Sequence, residues 1–252
     1  QFSDEESADQ AASAPVDFDL DLLRVETDLY RLTQGLTRQR QGRLCFYGPP
    51  GTGKSAFAAW LAQQLTMPLL RKQASDLLGM FVGQTEQQVA AMFKDARERK
   101  AVLLIDEADS FLRTRRSAHQ RWEVSQVNEL LVQMERYEGI LICATNLMED
   151  LDEAVLRRFD LKLGFQPLSP EQVERRFRQL TVGAELGEKG QLAAALSRVR
   201  ALTNLTPGDF AVAQRQARLL DEPLTPNWLA AALLAESQAK PGSRQRPIGF
   251  VN

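Results

Sequence analysis

The eight residues GPPGTGKS, Gly48 to Ser55, constrain the fold more than any other stretch. They crowd three glycines, two prolines and a lysine between two different periodicities. The apolar run RLCFY before them reads as a strand, and KSAFAAWLAQQL after them reads as a helix. A strand that turns at once into a helix through a glycine-rich loop aims backbone N–H groups and a helix N-terminus at one point, and such a point attracts phosphate. Gly48, Pro49, Pro50, Gly51, Thr52, Gly53, Lys54 and Ser55 fit the template G-x-x-x-x-G-K-[ST] at every position. In that reading Gly51 and Gly53 turn the loop's N–H groups inward, Lys54 adds charge for the β and γ phosphates, and Ser55 holds magnesium at the helix N-terminus. A glycine-rich turn that happens to precede a helix is the bland alternative.

The same alternation continues along the chain. RLCFY, MPLLR, AVLLID, GILICAT and LKLGF are short strand-like runs separated by longer segments, which predicts an α/β fold: a parallel five-stranded sheet with helices on both faces. AVLLID is apolar on successive residues, as a strand covered on both faces must be. A crossover helix is expected to start at Thr85, capped by its hydroxyl with Gln88 reaching back, and to bury Val89, Met92, Phe93 and Ala96. After Pro167 the strand signals stop. SPEQ, TPGD and TPNW each place Ser or Thr at an N-cap and Pro at the first helical position, so a small all-α domain follows. Val173, Phe177 and Leu180 line its first helix, and Trp228, Leu229, Ala232 and Leu233 its last. The expected organisation is a linker over 1–19, the nucleotide-binding domain over 20–168, the helical domain over 169–241 and a tail over 242–252.

Which phosphate chemistry the loop serves depends on a second motif, VLLIDEAD. The run 102–105 delivers Asp106 to the C-terminal edge of a strand, where its carboxylate can order a magnesium shell, and Glu107 can polarise a water for attack on the γ-phosphate.

Composition narrows the remaining choices. A net charge of -2 supplies no general attraction to nucleic acid or anionic lipid. No apolar run approaches the roughly 20 residues of a membrane helix, and no leader is recognisable, so a cytoplasmic protein with no membrane partner is expected. Cys45 and Cys143 lie far apart inside apolar runs, as buried thiols rather than metal ligands, and His119 sits in a polar stretch without a second ligand. Asp4, Glu5, Glu6, Asp9, Asp17, Asp19 and Asp21 precede the first basic residue, Arg24, which reads as an acidic flexible linker and suggests a piece of a longer protein.

GPPGTGKS, LLIDEAD and ICATN in this order, followed by LDEAVLRRFD and a helical lid, resemble the AAA+ ATPases, and within them the AAA family proper, over about residues 20–240. The resemblance implies ATP and Mg2+ as cofactors, a nucleotide held between the α/β domain and its lid, and rings, usually homohexameric. It gives Asn146 the sensor role of placing the attacking water; an Asn capping the turn after a strand would have the same geometry. It makes Arg157 and Arg158 the pair that reaches a neighbouring subunit's γ-phosphate. Gly208 in TPGDF stands where many AAA+ relatives carry an arginine, so it implies backbone contact near the adenine and no charge role. Leu20 in DFDLDLL is a loose candidate on the other side of the adenine.

The segment LGMFVGQTEQQV resembles the first pore loop of protein-threading AAA proteins, here Met80, Phe81, Val82 and Gly83. An aromatic on a mobile loop grips any polypeptide by non-directional apolar contact. A core-packing Phe is the alternative, and Arg115 with Arg116 could form a second pore ring or a solvated charge run. Two departures stand out. The connection after Glu135 lacks the Asp-Gly-Phe type element that links subunits in many relatives, and no substrate-binding domain is recognisable, so recognition is expected upstream of Gln1. The resulting expectation is an ATP-hydrolysing, ring-forming protein remodeller. A nucleic-acid motor or clamp loader, disfavoured by the mild acidity, and an ATP-driven assembly switch remain as alternatives.

Overall fold

Strands β1 (Gly42–Tyr47), β2 (Leu69–Gln73), β3 (Val102–Asp106), β4 (Ile140–Thr145) and β5 (Leu161–Gly164) coincide with the five apolar runs. They form one sheet in the order β2-β3-β4-β1-β5, with every neighbouring pair parallel. The computed structural model describes residues 18–77, 83–109, 121–151, 153–182 and 189–241. Chain contacts divide it into two units. The first holds Val25–Pro49 and Lys54–Phe165; the second holds Asp19–Arg24, Pro50–Gly53 and the chain from Gln166 onward.

In the first unit the helices are α1 (Leu29–Gln39), α2 (Lys54–Gln64), α3 (Gln84–Glu98), α4 (Arg121–Arg136) and the single turn α5 (Glu153–Leu156). Every residue of β3 and β4 is buried, because these strands are central and covered on both faces. On one face Cys45, Leu103, Ile105, Leu141 and Cys143 pack with Val89, Phe93 and Ala96 of α3 and Leu130 and Met134 of α4. On the other, Phe46 meets Phe57 of α2 and Phe165 at ring separations of 5.5 and 5.2 Å. Helix α3 buries the face that its periodicity predicts, but its start differs. Gly83 occupies the N-cap with φ of 87°, and Thr85 lies fully buried inside the first turn. Glycine takes that left-handed backbone at little cost, so the chain enters the helix earlier and Thr85 falls two residues past the N-cap position.

Parallel register decides what shares an edge. Tyr47 pairs with Thr145 and Ile105 with Cys143, so β1, β3 and β4 end side by side, with Asp106 the last residue of β3 and Gly48 and Asn146 the first residues beyond β1 and β4. Ligands of open parallel sheets collect at such carboxyl ends.

The second unit is helical: α6 (Pro170–Thr181), α7 (Lys189–Arg200), α8 (Pro207–Leu220) and α9 (Pro226–Ala239). Pro170, Pro207 and Pro226 each open a helix behind Ser169, Thr206 and Thr225, as the sequence signals require. Val173, Phe177, Phe210, Leu229 and Leu233 form its core with Leu22, while Leu180, Trp228 and Ala232 are partly buried against it. Asp209 is buried beside them. Its Oδ2 accepts from the N and Oγ1 of Thr206 at 2.6 and 2.9 Å and pairs with the ammonium of Lys240. Asp209→Ala strands two Thr206 donors and leaves the Lys240 ammonium without its counter-charge, held by the Asn204 carbonyl, so we expect a loss of about 3 kcal/mol, read as a lower urea midpoint of unfolding.

Candidate nucleotide-binding site

Lys54 opens α2 and is only 7% exposed. Its Nζ donates to the carbonyls of Gly48 (2.7 Å) and Pro49 (3.0 Å) and to Oδ1 of Asn146 (2.8 Å), which occupies all three ammonium hydrogens. The loop after β1 and the turn after β4 are therefore joined through one cation. Burial lowers the Lys54 pKa to about 8, against the upward pull of Asp106 and Asp109, so the group is still charged at neutral pH.

One step along α2, Ser55 Oγ donates to Asp106 Oδ2 at 2.7 Å. The same oxygen accepts from Arg71 Nη2 at 2.7 Å, and Oδ1 accepts from the N of Glu107 at 3.1 Å. Glu107 itself has φ of 54°, a left-handed conformation held where β3 gives way to the next turn, and its side chain is exposed. Ser55 and Asp106 form an all-oxygen pair whose hydroxyl proton is already directed at the carboxylate, leaving lone pairs for a hard cation. This donor chemistry fits magnesium.

Asp109 and Arg71 were missed by the sequence reading. Asp109 Oδ1 accepts from Thr145 Oγ1 (2.9 Å) and from the N of Asn146 (3.3 Å), and Thr145 Oγ1 in turn accepts from the N of Leu147 (3.1 Å). The turn after β3 thus braces the turn after β4. The signal was a third acid in the run IDEAD, just beyond the end of the strand. Arg71 carried no signal, because a lone arginine at the end of a strand is ordinarily a solvated charge.

Arg157 and Arg158 are adjacent in sequence and differ in setting. The Arg157 side chain is 73% exposed and pairs with Glu153 one turn earlier. Arg158 is 31% exposed; its Nε donates to Glu135 Oε1 at 3.0 Å and its Nη1 to the carbonyl of Ala154 at 2.8 Å. Glu135 closes the last turn of α4, and after it Tyr137 turns inward, donating its hydroxyl to the Ala101 carbonyl at 3.1 Å. Met80, Phe81 and Val82, like Arg115, Arg116 and His119, lie outside the described residues.

Within the second unit Pro50, Gly51, Thr52 and Gly53 group with the start of α8. Gly208 N donates to the Gly51 carbonyl at 2.9 Å, and a Cβ on Gly208 would lie 2.8 Å from the Gly51 Cα, so a side chain there would force the two backbones apart. Leu23 lies against Gly53, while Leu20, half-buried, starts the short turn Leu20–Leu22 three residues earlier.

Residues 44–167 match the ATPase family associated with various cellular activities (AAA). The chain is 38% identical over 128 residues to the AAA family ATPase y4kL of Sinorhizobium fredii, covering 50% of this chain and 39% of that protein. It is 34% identical over 220 residues to the ATP-dependent zinc metalloprotease FtsH of Corynebacterium glutamicum, covering 81% and 25%. It is 32% identical over 203 residues to spastin of Drosophila simulans, covering 77% and 26%. The chain therefore spans between 25% and 39% of the length of these relatives. A chain of the Escherichia coli MS115-1 HORMA:CdnC:Trip13 complex superposes with a TM-score of 0.62 at 18% identity, covering 82% of each chain, a likeness of fold. With its parallel sheet, its phosphate-loop lysine tied to Asn146 and its Ser55–Asp106 pair, the chain carries an ATPase module of the AAA family.

Proposed function

We propose that this module hydrolyses ATP with Mg2+, works as a ring of identical subunits, usually six in this family, and remodels protein substrates. The observation that carries the reading is the convergence of Lys54, Ser55, Asp106 and Asn146 through contacts of 2.7 to 2.8 Å at the ends of three parallel strands. Lys54 faces the β and γ phosphates. Ser55 and Asp106 would hold magnesium, which when bound would neutralise charge developing on the phosphoryl oxygens. Glu107 takes a proton from the attacking water, and Asn146, held by Asp109 and Lys54, orients it. Arg157, the more exposed of the arginine pair, extends to a neighbouring subunit's γ-phosphate, while Arg158 anchors the segment to α4.

The protein-substrate assignment rests on the aromatic segment Met80–Gly83 and on similarity to an ATP-dependent metalloprotease. Among the described residues no helix is long and apolar enough to cross a membrane. The test is steady-state ATPase activity against protein concentration, with an unfolded protein or single-stranded DNA added. Specific activity should rise with concentration and with unfolded protein, Arg157→Ala should lower it by at least about 100-fold, and Phe81→Ala should abolish only the stimulation. Stimulation by DNA alone would overturn the substrate class, and concentration-independent activity would overturn the ring.

A further inference from the structure

Arg71 stands two residues before Gln73, the register partner of Asp106, so Arg71 and Asp106 share one face of adjacent strands. The strand β2 is an edge strand whose opposite face, through Leu70, enters the core, leaving Arg71 at the rim with its side chain 45% exposed. Its Nη2 lies 2.7 Å from Asp106 Oδ2, the oxygen that also accepts from Ser55 Oγ, while the Asp106 side chain is 12% exposed. A full positive charge is thus built into the place where the proposed function puts a divalent cation.

We propose that Arg71 is a resident counter-charge of Asp106, a positioning residue that competes with magnesium for this carboxylate and so sets how strongly nucleotide binding depends on the metal. The inference rests on the nucleotide-site reading above. Two charges act in opposite directions. With magnesium present, the guanidinium would repel the cation and compete with it for the Asp106 carboxylate; without magnesium, it would supply positive charge near the phosphates. The half-exposed side chain has room to withdraw into solvent on its long stem. A purely structural ion pair would instead strengthen or weaken both binding modes together.

The measurement is calorimetric binding of a non-hydrolysable ATP analogue, in magnesium and in EDTA, to the unsubstituted chain and to Arg71→Gln, Arg71→Met and Arg71→Lys. Loss of the charge in Arg71→Gln should weaken binding in EDTA and strengthen it in magnesium, raising the ratio of the two Kd values by at least about tenfold. Arg71→Lys should keep the ratio within about threefold of the unsubstituted chain, because the charge is retained. Arg71→Met provides a second neutral side chain should the glutamine variant fold poorly. An unchanged ratio in either folded neutral variant, or equal shifts of both Kd values, would overturn the proposal. Failure of the unsubstituted chain to bind the analogue in either buffer would overturn the nucleotide-site reading itself.

Discussion

Lys54→Ala is expected to weaken ATP binding by at least about 100-fold, the value of a desolvated, charge-assisted contact to phosphate. The loss comes from the charge rather than from packing. The ammonium is held at one point by Gly48, Pro49 and Asn146, so its charge is in place before phosphate arrives, and one of these acceptors gives way to a phosphate oxygen. The same residue ties binding to pH with two opposite signs. Its pKa is about 8 in the folded chain against 10.5 for an unperturbed lysine. Between those values the unfolded chain binds more protons, so stability from this group rises as pH rises, whereas phosphate binding, which needs the charged form, falls by up to about tenfold per pH unit above 8. Calorimetry and urea melts from pH 7 to 10 check both slopes, and Lys54→Ala should flatten both. A binding curve for Lys54→Ala that overlays the unsubstituted chain would remove this lysine from the site.

Glu107→Gln is expected to leave ATP binding and ring assembly within about threefold while lowering turnover by at least about 100-fold, the usual contribution of a positioned general base. Glutamine keeps the size of the side chain and the backbone at φ of 54°, and Asp106 still receives the N–H of residue 107. Only the capacity to take a proton is removed. Single-turnover hydrolysis with chased nucleotide separates binding from chemistry, and unchanged turnover would take Glu107 out of the reaction.

The sheet was legible because buried parallel strands must be apolar on consecutive residues, and LCF, VLLI and ILICA advertise that directly. The helical unit was legible through Ser169, Thr206 and Thr225, whose capping needs nothing beyond the local chain. The start of α3 was misread because Thr85 and Gln88 imitate a capping box, while Gly83 offers a backbone conformation that residue pattern alone does not weigh against it. In the site, Lys54, Ser55 and Asp106 were readable because motif spacing fixes them on consecutive elements. Arg71, Asp109 and the Glu135–Arg158 pair were not, since each contact depends on strand order or on side chains 23 or more residues apart. Parallel register creates those meetings, and register is a property of the assembled sheet.

Cys45 and Cys143 face each other across β1 and β4, both buried, with the Cys45 thiol pushed up to about 12 and that of Cys143 also raised well above its ordinary value, by burial and then by its neighbour. Burial disfavours the thiolate of both, and α3 and α4 cover the sheet face on which they lie, so alkylation of either sulfur requires that face to open. The chain therefore carries an internal clock: the rate at which an electrophile consumes these sulfurs records how often the helices over this face of the sheet open.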